Sequence, residues 1–167
     1  LLVDHQIRDY CVKKPDLVYP PTWRPMIAPF SESVSEGSVI SYGLDHAGYC
    51  LRLAESFLIF KNTSGEPVDP KRFKDEKYQS RIFEVLLTND PVVIPAHGYI
   101  LGHSLEYLCI PRHLKGRCTG KSTYARCGLI VNLTPIEPEW EGYLTIEISN
   151  ANPCPAVVYP HEGICQL

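Results

Sequence analysis

The chain has 167 residues, 44% of them hydrophobic and 21% charged, which suits one soluble domain. Such a domain buries about two thirds of its unfolded surface. A formal net charge of −3 argues against a broad nucleic-acid-binding surface, and no apolar run reaches the ~18 residues that span a bilayer.

The N-terminus, LLVDHQIRDYCVKK, is charged almost from its start and carries no apolar signal-peptide segment. It opens on Leu1 rather than Met, so the chain is expected to be a piece of a longer protein. Val3–Lys13 has the spacing of one short amphipathic helix, with Val3, Ile7, Tyr10 and Cys11 on one face. Residues 14–29 then carry Pro15, Pro20, Pro21, Pro25 and Pro29, so this arm must be extended or turning. Its Tyr19, Trp23, Met26 and Ile27 need apolar surroundings, on this chain or on a neighbouring subunit. We take 1–37 as helix plus arm and 38–167 as the body of a single domain.

After Ser38 the pattern turns to strands. Candidates are Val39–Leu44, Tyr49–Lys61, Ile82–Leu87, Val92–Ile94, Gly98–Ile110, Gly128–Thr134, Gly142–Ser149, Ala156–Tyr159 and Gly163–Leu167. Turn residues separate them, as at Asn62-Thr-Ser-Gly65, Asn89-Asp-Pro91 and Asn150-Ala-Asn-Pro153. Short strands at this spacing point to an all-β barrel or sandwich. Strand–helix alternation is missing, which argues against a Rossmann-like sheet.

The seven cysteines are odd in number and form no C-x-x-C pair. Several lie in apolar runs, where a free thiol acts as a small hydrophobe, so reduced thiols in a cytoplasmic setting are expected. A zinc deaminase needs H-x-E with P-C-x-x-C. Here Pro153-Cys154 lacks the second Cys, Val157 standing in its place, and His161-Glu162 is not H-x-E. No protein metal site is expected.

Two chemically opposite segments adjoin late in the chain. Arg112, Lys115, Arg117, Lys121 and Arg126 fall in a stretch with no acid, whereas Glu137, Glu139, Glu141 and Glu147 fall in one with no base. Together they suit a ligand with a polyanionic end and an end that needs general-base chemistry, as a nucleotide has. Gly120-Lys-Ser-Thr-Tyr-Ala-Arg126 is not a P-loop, because Lys115 stands where the first glycine would be. Hydroxyls and main-chain N–H groups at such a turn can still bind phosphate. On spacing alone the plainer reading is a solvated turn leading into a short helix.

In Tyr143-Leu-Thr-Ile-Glu-Ile-Ser149, alternation puts Tyr143, Thr145, Glu147 and Ser149 on one face and Leu144, Ile146 and Ile148 on the core face. By pattern alone Glu147 is an exposed strand acid. Pro135-Ile-Glu137-Pro-Glu-Trp140-Glu-Gly142 reads as a proline-stiffened turn anchored by Trp140, with Glu139 and Glu141 solvated.

GKSTYARCGLIVNLTPIEPEWEGYLTIEISN (120–150) closely resembles the corresponding stretch of the dCTP deaminases, within the dUTPase-like superfamily. SYGLDHAGYCLRLAESFLIF (41–60), DPKRF (69–73) and PAHGYILGHSLEYLCIPRHL (95–114) resemble that family's earlier segments, and the likeness runs from Met26 to Leu167. The resemblance implies a distorted jelly-roll or β-barrel with a few short helices. It also implies a cytoplasmic homotrimer whose active sites lie between subunits, with basic residues crossing from a neighbour. The implied activity is hydrolysis of dCTP to dUTP and ammonia, feeding thymidylate synthesis, with dTTP as a candidate inhibitor and no nucleic-acid or membrane partner.

For this sequence the resemblance implies Glu147 as proton shuttle, with Ser122 and Arg126 beside the chemistry. Lys121 and Thr123 would hold phosphate. Tyr124, Ala125, Thr145 and Ile146 would complete the substrate contacts, with Glu137 facing the sugar 3′-hydroxyl and Gln166 facing the ligand. Water would be activated without zinc, and Mg2+ would arrive on the triphosphate. Cys50 stands where the family usually has Asp, and the family's C-terminal lid over the nucleotide lies beyond Leu167. Two other functions share this fold: a dUTP diphosphatase, or bifunctional enzyme giving dUMP, and a catalytically silent nucleotide-binding trimer.

Overall fold

The computed structural model describes residues 1–12, 24–61, 65–132 and 134–167. In chain order the elements are α1 (Asp4–Val12), β1 (Ile27–Ala28), β2 (Gly43–Asp45), β3 (Gly48–Arg52) and β4 (Ser56–Phe60), then α2 (Glu76–Ile82), β5 (Phe83–Leu87) and β6 (Val92–Ile94). β7 (Tyr99–Cys109), β8 (Gly116–Gly120), α3 (Ser122–Arg126), β9 (Leu129–Val131) and β10 (Thr134–Ile136) follow, and β11 (Glu141–Asn150), β12 (Ala156–Val158) and β13 (Gly163–Gln166) complete the fold.

Three antiparallel sheets surround the main core, and a second small cluster of Tyr78, Ile82, Phe83 and Leu101 packs α2 on the large sheet. The largest runs β5-β4-β7-β11-β9 with β1 added on β7, the second runs β10-β8-β13-β3-β2, and β12 pairs with β6. Ile100, Ile146 and Ile148 from the first sheet, Leu51, Ile164 and Cys165 from the second, and Val92, Ile94 and Val158 from the pair join one apolar cluster. Ile7 and Cys11 of α1 belong to the same cluster. The expectation of a mostly-β architecture with a few short helices holds.

The long β7–β11 pair is the spine of the large sheet. Its alternation follows the sequence, with Leu144, Ile146 and Ile148 buried and Tyr143 and Thr145 exposed. The ladder slips between Tyr143 and Thr145. There the Leu144 N–H donates instead to the Ser104 hydroxyl at 2.8 Å, and that hydroxyl donates to the Glu106 carbonyl at 2.7 Å. A buried serine thus supplies the partner that the irregular ladder withholds.

Several expectations need correction. Tyr49–Lys61 is two strands, because the chain leaves the second sheet after Arg52 and enters the first at Ser56. β8 falls in the basic segment, which shows no strand pattern. β10 occupies what reads as a proline turn, and the turn itself begins after Ile136. Pro135 is tolerated there because β10 lies at a sheet edge, where a missing N–H breaks no second ladder. α2 is absent from the expected elements, and it starts where the Asp75 carboxylate accepts from the Lys77 and Tyr78 N–H groups.

Helix α1 forms as expected, but only Ile7 and Cys11 are buried while Val3 is exposed. Of the arm's apolar residues, Met26 and Ile27 are buried against this chain, whereas Tyr19 and Trp23 lie outside the described residues. All seven cysteines are free thiols. No helix among the described residues is long and apolar enough to cross a membrane.

Candidate active site

The turn and short helix α3 form as the sequence suggests. Lys121 sits in extended conformation just before the helix, and Ser122, Thr123, Ala125 and Arg126 are exposed on it. The helix ends because Gly128 adopts φ +69°, with its N–H donating to the Ala125 carbonyl at 3.1 Å. A Cβ at Gly128 would lie 2.3 Å from Asn152 Oδ1, so a side chain there is strained by the positive φ and would push the Asn152 amide aside.

Lys121 turns inward. Its Nζ donates to Ser41 Oγ at 3.2 Å and stands 3.1 Å from Cys50 Sγ. Cys50 is buried, so its side chain packs against the lysine from the core side. Nothing in the sequence around Ser41 singles it out as a contact of this lysine.

Tyr124 is buried, and its hydroxyl makes no hydrogen bond of ordinary geometry with the described residues. Burial pushes its phenol well above the ordinary range, while the nearby Tyr159 backbone pulls the other way. Thr123, Tyr124 and Arg126 line a groove of about 410 Å³ together with Asn152, Cys154 and Val157.

Glu147 lies on the outer row of β11 and is half-buried. The neighbouring strand β9 pairs Val131 with Ile148. One residue further, the Asn132 N–H donates to the Glu147 carbonyl at 3.2 Å and its side-chain Nδ2 donates to Glu147 Oε2 at 3.3 Å. On the other side β7 sets Leu101 opposite Glu147 and Tyr99 opposite Ser149. Burial first, and the Glu147 charge second, push the Tyr99 phenol up.

Strand β9 therefore connects the two halves of the candidate site. α3 precedes its start at Leu129, and Glu147 faces its far end at Asn132, about 10 Å away at strand rise. Exposed Ile130 and Tyr143 lie on the same sheet face as Glu147.

The remaining candidates are more scattered. Thr145 is exposed beside Glu147, but the Ile146 side chain is buried in the core, leaving only its backbone for a ligand. Glu137 is exposed and paired with Lys115 Nζ at 2.9 Å. Glu141 does not stand alone in solvent: it accepts from the Tyr107 hydroxyl at 2.9 Å and pairs with Arg24. Gln166 lies on β13, where its Nε2 donates to Asp45 Oδ2 at 3.3 Å. Among the described residues no group of three His, Cys, Asp or Glu side chains is placed to hold a metal ion.

Comparison with known proteins gives three findings. A family model described as dCTP deaminase-like matches residues 26–167. Among curated relatives, the dCTP deaminase of Acidobacterium capsulatum is 50% identical over 142 residues, covering 85% of this chain and 74% of its own length. That of Acidiphilium cryptum is 46% identical over 168 residues, covering 100% of this chain and 82% of its own. The solved structure of 2′-deoxycytidine 5′-triphosphate deaminase from Agrobacterium tumefaciens matches with a TM-score of 0.57 at 18% identity, over 84% of this chain and 42% of that one. At that identity the last likeness speaks for the fold alone.

Proposed function

The chain belongs to the dCTP deaminase-like family, and on that premise we propose that it hydrolyses dCTP to dUTP and ammonia. The observation that carries this reading is Glu147, a half-buried carboxylate beside a strand that leads directly from a turn bearing Lys121, Ser122, Thr123 and Arg126. Oxyanions are drawn to the cationic, hydroxyl-bearing turn, and a base is needed where the pyrimidine meets water.

In the reaction, water oxygen bonds to C4 of cytosine while Glu147 takes one of its protons, which ends on N3. The second water proton passes through the same carboxylate to the departing amine. The C4–N4 bond then breaks, ammonia leaves, and C4 keeps a carbonyl oxygen. Ser122 and Arg126 orient the water and the polarised ring, and Lys121 and Thr123 hold phosphate.

The α3 turn offers cations and hydroxyls rather than carboxylates. A divalent ion such as Mg2+ would therefore be held through the substrate's phosphate oxygens. A homotrimer with composite sites fits the exposed Ile130 and Tyr143 around Glu147 and the separation of Glu147 from α3 along β9. We assign the protein to the cytoplasm, where its free cysteines remain reduced.

The deciding experiment is incubation of the full-length protein with dCTP and Mg2+, with separation of the products. Equal amounts of dUTP and ammonia are expected. Release of dUMP with pyrophosphate would replace this reading with a bifunctional one. Tight dCTP binding with no ammonia would make the protein a silent nucleotide-binding trimer.

A further inference from the structure

We propose that Asn132 is a positioning residue for Glu147: it holds Oε2 so that Oε1 alone takes and returns the proton. This inference rests on the reading of Glu147 as the proton shuttle.

The geometry is a two-point attachment. The Asn132 backbone N–H donates to the Glu147 carbonyl at 3.2 Å, extending the β9–β11 ladder one step past Val131 and Ile148. The Asn132 Nδ2 then reaches the carboxylate from a fixed place, at 3.3 Å from Oε2. In strand pairing, a residue directly opposite has its side chain beside its partner's, so the contact follows from register rather than from a chance rotamer.

Three consequences follow from amide chemistry. A primary amide nitrogen only donates, so the oxygen it holds, Oε2, serves as an acceptor. With one lone pair of Oε2 engaged by the amide, Oε1 is the more basic oxygen for a proton arriving at Glu147. The amide also carries no charge, so it orients the base without competing for the proton.

The other titratable side chains on this face come from β7 and β11, with Tyr107 and Glu141 the farthest along, and from α2, whose Tyr78 is buried in the same cluster as Leu101. Tyr99 and His103 lie two residues to either side of Leu101, the residue opposite Glu147, and Tyr143 lies two steps along that face of β11. β9 contributes Ile130, and Asn132 follows at its end; neither titrates. Asn132 is thus the donor that touches the carboxylate from the strand leading out of α3.

The test compares Asn132→Ala and Asn132→Asp with wild type in the full-length protein, measuring ammonia release from dCTP. Asn132 is exposed, so both variants are expected to melt within about 2 °C of wild type. Asn132→Ala should lower kcat about tenfold with KM within about twofold, as expected when a catalytic group loses its orientation. Asn132→Asp should lower kcat further and move the acidic limb of the kcat–pH profile to higher pH, because a second carboxylate disfavours an ionised Glu147.

Values of kcat within about twofold of wild type in both variants, or a loss carried by KM alone, would overturn the inference while leaving the deaminase reading intact. A wild-type protein that releases no ammonia would strike the functional reading first, and this inference with it.

Discussion

Arg52 and Glu106 form a buried ion pair that ties the second sheet to the first. The Glu106 side chain is fully buried; its Oε1 accepts from Arg52 Nε at 2.7 Å and its Oε2 from the Arg52 backbone N–H at 2.9 Å. The guanidinium also lies over the Tyr42 ring, 4.9 Å from its centroid. Glu106 points into the core from β7, where alternation calls for an apolar residue, and Arg52 is what makes a carboxylate tolerable there.

Removing one partner should therefore be more damaging than removing both. Glu106→Ala leaves a mostly buried guanidinium without its counter-charge and is expected to cost about 3–5 kcal/mol. The double replacement Arg52→Met with Glu106→Leu should recover at least half of that loss. Urea unfolding of the three proteins checks the order; equal destabilisation of single and double variants would contradict it.

Gly128 is expected to link stability to substrate binding. Its positive φ strains any added side chain, and an added Cβ, 2.3 Å from Asn152 Oδ1, would displace the Asn152 amide. Gly128→Ala should cost about 1–3 kcal/mol and loosen the C-terminal end of α3. Because α3 carries the expected phosphate contacts, KM for dCTP should rise more than kcat falls. Steady-state kinetics on the folded variant give the split.

Glu147→Gln keeps the side chain's shape and removes its ability to carry a proton. Ammonia release should drop by about 10²–10⁴-fold, while dCTP binding by calorimetry stays within about threefold of wild type. Near-wild-type turnover in this variant would remove Glu147 from the chemistry.

Cys11 gives a prediction in alkali. Burial between α1 and the core pushes its thiol from an ordinary value of 9.0 up to about 11, with the Ile27 backbone pulling slightly the other way. A thiol whose folded-state value is raised contributes full stability below pH 9. It loses that contribution as the unfolded chain ionises, up to about pH 11. The stability difference between wild type and Cys11→Ala should therefore shrink between those limits. Chemical denaturation of both proteins at about pH 8 and about pH 10.5 measures it; a constant difference would contradict the assignment.

Strands were legible in the sequence where a face was buried and its alternation clean, as in Gly142–Ser149. β6 matches its expected bounds at Val92–Ile94. β8 escaped because Gly116 and Gly120 bound a basic pentapeptide whose only buried side chain is Cys118. β10 escaped because proline normally argues against a strand, and only its edge position makes it acceptable. The α3 turn was legible as a cationic, hydroxyl-rich motif, and Glu147 as an outward acid. Asn132 and Ser41 were not legible, since an amide or hydroxyl gains meaning only from what the register or a crossing segment sets against it.

The shortness of β9 has a consequence for how this protein can vary. Side chains along a strand alternate between faces, so losing or gaining one residue between Leu129 and Val131 would swing Asn132 inward and leave its carboxylate companion unattended. Length changes there are tolerable only in even steps, which makes Leu129–Val131 a ruler between α3 and the Asn132–Glu147 contact.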